Sequence, residues 1–289
     1  MVSERTFSSS LQEQLSRNST PYVDTLARVD WDQLSTDQYW LPEQALSLYG
    51  LREYAELSEE QRRRLSQIEF LHVLEAGLWL EGIFMERLGR AMNRAKSMSH
   101  RIYHLHELRE EAGHSLMFLE VMRRSALPRP RTRFHRLRMA NLLARHAPFD
   151  SFAFWIAVLI GEEIPDRLNR FVRKHRDEVS PAVYQVTRIH IIDEARHIAH
   201  ARDILERRLI RMPSWQLGLL KPLIRSVFRD FVRALYFPTP HAYELAGLHP
   251  GRAWAQAAWT NPHRIRFVDE CISTTLRALQ EHDIPLSWR

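Results

Sequence analysis

The stretch HIIDEARHIAH carries two histidines and a glutamate whose spacing could bind a metal ion: His190, Glu194 and His197. On an α-helix, at about 100° per residue, these three side chains fall within roughly 60° of one another on successive turns. The residues between and beside them include four isoleucines and two alanines, so we predict a buried helix rather than a solvated one. The stretch is therefore a candidate wall of a metal site. The alternative at this point is a pair of core histidines held by carboxylates.

A second copy of the pattern occurs upstream in ELREEAGHSLMF, where Glu111 and His114 have the same spacing of three residues. An acid also precedes the glutamate in both copies, Glu110 in one and Asp193 in the other. These two acids lie about 100° away from the ligand stripe. We therefore predict that each accepts a hydrogen bond from a histidine on the neighbouring helix, with an interhelical salt bridge as the alternative.

Each copy also has an acid about eight helical turns earlier. Glu81 lies 30 residues before the first Glu-x-x-His glutamate, and Glu163 lies 31 residues before the second. Glu75 and Glu162 are near-neighbours of these two positions, but the matched spacings favour Glu81 and Glu163. Two such units are what a four-helix bundle needs to hold two metal ions, with one Glu from each of two helices and a Glu-x-x-His from each of the others.

The residue types indicate which metal such a site would hold. Four carboxylates can hold two ions close together, and imidazoles favour iron over calcium or magnesium, with manganese a less favoured choice. Four carboxylates in a dry core without a metal would repel one another and take up protons, so a metal-free structural role is physically strained.

His190 breaks the symmetry of the two copies, because the matching position four residues before Glu111 is Glu107. An imidazole one turn before Glu194 reaches only the ion on its own side. His190 is therefore a candidate seventh ligand, and we expect the two ions to have unlike surroundings.

These residues resemble the non-haem diiron N-oxygenases typified by p-aminobenzoate N-oxygenase, which convert arylamines to nitro compounds. The segments VDWDQ, WLPEQALSLYG and LSEEQRRRLSQIEF look like the part of that family that leads into the first ligand helix, and the resemblance covers about residues 24–210. Carried over by position, it implies these metal ligands: Glu81, Glu111, His114, Glu163, His190, Glu194 and His197.

The resemblance implies an all-α, ferritin-like bundle, similar to that of ribonucleotide reductase, with additional N-terminal and C-terminal helices. It implies two iron ions, dioxygen as co-substrate and oxidation of an amine nitrogen to a hydroxylamine, nitroso or nitro product. The amine could arrive free or tethered to a carrier, and electrons would come from an external donor such as a ferredoxin or a reductase. A homodimer is a candidate assembly of the chain. The competing functions are a diiron hydroxylase acting on carbon and an iron-binding or storage bundle.

Length and composition agree with a helical protein. The 289 residues are 45% apolar with nine glycines, which predicts one helical domain over 1–289, with the metal-binding bundle over about 58–211 and extensions at 1–57 and 212–289. The single cysteine, Cys271, excludes a disulfide within the chain and suits the cytoplasm, as does the polar start without a signal-peptide region. The longest apolar run is too short to span a bilayer, so we expect no membrane partner.

Helix start and stop signals predict the elements that position these residues. Ser58 followed by Gln61 reads as a capping box that opens the first ligand helix, and Pro165 predicts a kink near Glu163. The predicted helices span about 58–96, 99–125, 150–178, 181–211, 213–237 and 262–281.

The strongest charge feature is RRSALPRPRTRFHRLR, with seven arginines from Arg123 to Arg138. A solvated linker is the default interpretation. The alternative is a docking surface for an acidic electron donor, favoured by the net charge of +6. Nucleic-acid binding is disfavoured, because Phe134 is the only interleaved aromatic residue and there is no recognised motif.

Overall fold

The computed structural model describes residues 2–281 and 283–289, with side chains from Leu11 onward. Over these residues every regular element is helical and no strand is present, which confirms the predicted all-α class. The α-helices, in chain order, are α1 (Val2–Ser19), α2 (Arg52–Ala55), α3 (Glu59–Arg94), α4 (Met98–Ser125), α5 (Arg138–His146), α6 (Phe152–Lys174), α7 (Pro181–Leu209), α8 (Ser214–Tyr236), α9 (Pro240–Leu245), α10 (Gly251–Thr260) and α11 (Pro262–Gln280).

A four-helix bundle is built from two helical hairpins. Helices α3 and α4 form the first hairpin, and α6 and α7 form the second. Their connections, 95–97 and 175–180, are short, so each pair packs side by side with opposite chain directions. The hairpins meet through contacts of α3 with α6 and of α4 with α7. The two Glu-x-x-His motifs thus lie on facing helices, α4 and α7.

The first ligand helix begins at the capping residues predicted from the sequence. The Ser58 side chain accepts from the Gln61 backbone N–H while the Gln61 side chain accepts from the Ser58 N–H, so the predicted capping box is present. The third predicted helix, 150–178, is shorter at its C-terminal end in the structure. Helix α6 stops at Lys174, because His175 leaves helical geometry, and a separate 3-10 turn follows at Arg176–Glu178. Helix α6 continues through Pro165.

The N-terminal and C-terminal extensions pack against the outside of the bundle. Buried Gln67 on α3 donates to the carbonyls of Thr36 and Gln38, at 2.7 and 3.0 Å. Buried Arg264 on α11 donates to the Ala45 carbonyl at 2.5 Å, which joins the two extensions. Helix α11 also packs along α6. Among the helices of the described residues, none combines the length and the hydropathy that crossing a membrane would require.

The basic segment between α4 and α5 is not a freely solvated linker. Arg129 pairs with Glu75 at 2.6 Å, and Arg123 with Glu120 at 2.7 Å. Arg133 donates to a backbone carbonyl at the end of α8, and burial lowers its pKa. Several of these guanidinium groups are therefore already engaged within the chain, which weakens the interpretation of the segment as a docking surface.

Two glycines on α3, Gly77 and Gly82, provide a test of how closely α3 packs against α4. A Cβ atom on Gly77 would lie 2.6 Å from the Phe118 ring on α4, whereas one on Gly82 would meet nothing within 4 Å. We expect Gly77→Ala to lower the free energy of unfolding by about 1–3 kcal/mol through overpacking. Gly82→Ala should raise it by about 0.5–1 kcal/mol, the helix-propensity gain. Chemical denaturation of both variants measures the difference, and equal effects would contradict the close α3–α4 contact.

Candidate metal centre

Four buried side chains converge at one position in the bundle core: Glu81 from α3, His114 from α4, and His190 and Glu194 from α7. His114 Nδ1 lies 3.6 Å from Glu81 Oε1 and 3.3 Å from Glu194 Oε1. His190 Nε2 lies 3.4 Å from Glu81 Oε1 and 3.5 Å from Glu194 Oε1. One ligand atom from each of the four residues falls within 4.8 Å of the others, so this group could hold a cation.

A second group lies beside the first and shares Glu194 with it. It consists of Glu111, Glu194 and His197, and all three are buried. His197 Nδ1 lies 2.9 Å from Glu111 Oε1 and 3.1 Å from Glu194 Oε2. Glu111 Oε2 faces the first group, 3.4 Å from His114 Nδ1. Glu111 and Glu194 therefore each direct one oxygen to either group, as bridging carboxylates would.

The structure places Glu163 outside both groups, so the side chain chosen by spacing does not lie among the clustered donors, and its role as a ligand stays a prediction. Its side chain forms ion pairs with Arg202 and Arg167 and accepts a hydrogen bond from Thr275 on α11, at 3.0 Å. The neighbouring Glu162 faces the cluster instead. Burial raises the pKa of Glu162 well above its usual value, and the nearby charges of Glu194 and other carboxylates raise it further.

The two hairpin connections differ in length, three residues in one and six in the other, so equal spacing along the chain does not ensure equal rotation of the ligand helices. One residue of slip rotates a helical side chain by about 100°, enough to turn Glu163 away from the cluster and toward α11, where it stays buried. A local signal in the sequence distinguishes the two glutamates. Glu163 is followed four residues later by Arg167, with which it forms an ion pair, whereas Glu162 is followed at seven residues by Asn169, which contacts His190.

The acids that precede each motif glutamate face histidines across the bundle. Glu110 on α4 lies 3.0 Å from Nε2 of His197 on α7, and Asp193 on α7 lies 3.4 Å from Nε2 of His114 on α4. Arg196 joins the two acids, donating to Glu110 at 2.8 Å and to Asp193 at 2.7 Å. An acceptor at Nε2 keeps the proton there and leaves Nδ1 free to bind a cation.

Two further contacts were not foreseen from the sequence. Arg28, from the N-terminal extension, donates to Asp193 at 3.1 Å, so Asp193 has a cation on each side. Asn169 on α6 lies 3.0 Å from Nδ1 of His190 and holds that ring with Nε2 toward the carboxylates. Neither residue belongs to the doubled motif, and their contacts depend on how distant elements pack.

The asymmetry expected from His190 is present in the geometry. His190 reaches Glu81 and Glu194 in the first group. Its counterpart Glu107 instead faces His104, whose Nδ1 lies 3.3 Å away. Although burial opposes it, His200 and His104 hold the pKa of Glu107 below its usual value. The first group thus has two imidazoles and the second has one.

Burial and neighbouring charges shift the pKa values within the cluster. Burial, followed by the charge of Glu81, raises the pKa of Glu111 to about 7. Burial acts against the charged form of His114, but its hydrogen bonds to Asp193 and the glutamates raise its pKa well above the usual value. Positive charge close to the carboxylates, from protons or cations, therefore stabilises the cluster.

The donor set fits a pair of cations. Glu81 Oε2 is buried and accepts no hydrogen bond, and the buried Glu111 Oε1 and Glu194 Oε1 face the ring nitrogens of the cluster histidines without well-directed hydrogen bonds. Buried carboxylate oxygens without donors are costly unless a cation satisfies them. With Glu162 added, the cluster offers four carboxylates and three imidazoles, a set that suits iron better than calcium or magnesium.

Sequence comparisons link the chain to a known family. The model of the family described as p-aminobenzoate N-oxygenase AurF matches residues 2–283. The uncharacterised protein Rv0885 of Mycobacterium tuberculosis is 29% identical over 245 residues, which are 78% of this chain and 67% of that protein. The uncharacterised protein MT0908 of the same species is 30% identical over the same shares of each chain.

The neighbouring glutamates on α6 give a matched test of this geometry. Glu162→Gln should lower iron affinity by roughly tenfold or more, because it removes a charged donor at the cluster. Glu163→Gln should retain iron, and should lower the free energy of unfolding by less than about 2 kcal/mol through its weakened contacts with α11 and the arginines. Metal analysis and thermal unfolding separate the two effects. Iron loss in the Glu163 variant alone would restore the spacing-based assignment.

Proposed function

This chain belongs to the p-aminobenzoate N-oxygenase AurF family, and from that premise we propose that it is a diiron oxygenase that uses dioxygen to oxidise the nitrogen of an arylamine. The family has a ferritin-like helical fold and implies oxygenase activity. The observation that carries the specific proposal is the buried double cluster, in which a third imidazole, His190, joins the two Glu-x-x-His motifs.

We propose that Glu111 and Glu194 would each contribute to holding both of two iron ions. Each of these residues already directs its two oxygens to the two groups. One ion would be held in addition by Glu81, His114 and His190, and the other by Glu162 and His197. This set replaces Glu163 of the sequence-based assignment with Glu162.

When bound, the iron pair would supply the activation of dioxygen and the electron transfer that amine oxidation needs. The chain positions the donors. Glu110 and Asp193 keep the protons of His197 and His114 on Nε2, so that Nδ1 faces the ions. Phe118, whose ring lies 5.4 Å from that of His190, and Phe84 at 6.5 Å from His197 shield the centre from water.

The surroundings favour an organic substrate over iron storage. Two apolar cavities border Glu162, and one of them also contacts Glu81 and His190. A storage site needs a polar path for hydrated ions, whereas these walls are aromatic and aliphatic. An external reductant, such as a ferredoxin or a reductase, is part of the proposal, because nitrogen oxidation to a nitro product takes several electron-transfer steps.

The direct test uses purified protein loaded with ferrous iron without oxygen. We expect about two iron ions per chain, by the bundle-site stoichiometry. Exposure to dioxygen with a chemical reductant should convert arylamines to N-oxygenated products, detected by mass spectrometry.

Matched aromatics without the amine serve as controls for the same preparation. Hydroxylation of ring carbons in these compounds, with the amines unchanged, would favour a carbon hydroxylase. Binding of one zinc ion and no iron would defeat the proposal of a diiron centre.

His190 gives a separate prediction. In His190→Ala the other six ligands remain, so most iron should still bind, but one ion loses a donor and the two iron environments change. Mössbauer spectra at matched iron loading measure this change, and arylamine oxidation should fall at least roughly tenfold. Replacing His104, a buried histidine outside the ligand set, by Ala is the control. Identical spectra for His190→Ala and the parent would remove His190 from the coordination sphere.

A further inference from the structure

Two cavities lie side by side at Glu162, near the metal centre. The outer one, about 50 Å³, lies between α3, α5 and α6, and the inner one, about 30 Å³, lies beside Glu81 and His190. Both are bordered by Leu80, Gly161 and Glu162. The two cavities therefore adjoin at the side chain of Leu80.

The entrance lies on the side of α5 and α6. Ala144, Ala157 and Val158 border the outer cavity and are partly exposed, while Trp79 and Phe154 deeper in its wall are buried. At the inner end, a Cβ atom on Gly161 would lie 3.0 Å from Leu80, so the glycine leaves room for that side chain beside Glu162. A flat, apolar molecule that enters here is led toward the carboxylate cluster.

The walls provide no positive charge. Among the residues that border the two cavities there is no lysine or arginine, and the one imidazole, that of His190, belongs to the metal centre. The other polar side chains are already engaged. Trp79 Nε1 donates to Asn141 at 3.1 Å, Thr187 Oγ1 donates to the Tyr184 carbonyl at 2.9 Å, and Asn169 contacts His190.

The walls do provide acceptors. Glu162 and Glu81 border the inner cavity, and Glu81 Oε2 accepts no hydrogen bond. Gly161 adds a third acceptor at the junction, because its carbonyl would normally accept from position 165, and Pro165 has no N–H to donate. A lining of acceptors without cations suits a neutral molecule that donates hydrogen bonds, and it disfavours an anion that would be buried without a partner.

We propose that these cavities select an uncharged, apolar arylamine, with the NH₂ group directed to Glu162 and the Gly161 carbonyl, and that they exclude arylamines carrying a carboxylate. This inference rests on the proposed function, since it specifies the substrate class of the same centre. The specificity-determining residues are the small and aliphatic ones at the entrance, Ala157 and Val158, together with Leu80 at the junction.

Binding without turnover tests the proposal. Iron-loaded protein in its oxidised form, with no reductant, is equilibrated by dialysis against 4-fluoroaniline or 4-aminobenzoate at about pH 7.5, where the carboxyl group is ionised. We expect 4-fluoroaniline to bind and 4-aminobenzoate to bind roughly a hundredfold more weakly, the order expected for a buried unpaired charge. Ala157→Phe, which fills the entrance, should abolish binding of 4-fluoroaniline while iron is retained.

A charge added at the entrance gives the reciprocal test. Val158→Lys should improve binding of 4-aminobenzoate, because the ammonium group supplies the missing partner. Leu142→Lys is the matched control: Leu142 is 54% exposed on α5 and does not border the cavity, so the same added charge should leave both affinities unchanged.

The outcomes distinguish a failure of the proposed selectivity from a failure of the proposed function. Equal or tighter binding of 4-aminobenzoate by the parent protein, no binding of either probe, or no effect of Ala157→Phe overturns the proposed selectivity. Binding as expected without N-oxygenated product on reduction in air upholds the selectivity and defeats the proposed function.

Discussion

The structure depends on placing four carboxylates in a core from which water is excluded. Glu81, Glu111, Glu162 and Glu194 are all buried, and several of their oxygens have no hydrogen-bond donor. Such a group is stable only when protons or cations compensate its charge. The raised pKa values of Glu111 and Glu162 reflect this constraint. Two iron ions would satisfy it without protonation.

The surrounding charges are arranged to hold that centre in one geometry. Glu110 and Asp193 each cross from one Glu-x-x-His helix to the histidine of the other, and Arg196 links the two acids. The facing helices are therefore fixed in register by the contacts that orient the ligands. Arg28 extends this network to the N-terminal segment, which the family match also covers.

The α3–α6 side of the cluster has a different character. Two apolar cavities adjoin there, their free polar groups are acceptors, and no lysine or arginine borders them within the described residues. The acids and the arginine that orient the histidines lie instead between α4 and α7. The proposed amine site and the network that orients the ligands therefore lie beside different helix pairs.

The sequence by itself determined the helical class, the capping box at Ser58, the two Glu-x-x-His motifs and the acids that orient their histidines. These follow from periodicity within single helices, where spacing fixes the direction of a side chain. It could not determine which of Glu162 and Glu163 faces the cluster, because that depends on the rotation of α6 relative to α7, set by a six-residue connection and by the packing of α11 through Thr275. The contacts of Arg28 and Asn169 could not be predicted from the sequence either, because they join elements far apart in the chain. Only the tertiary structure decides how helices rotate against one another, because about 100° separates adjacent residues, so a slip of one position turns a side chain from the cluster to a different helix interface.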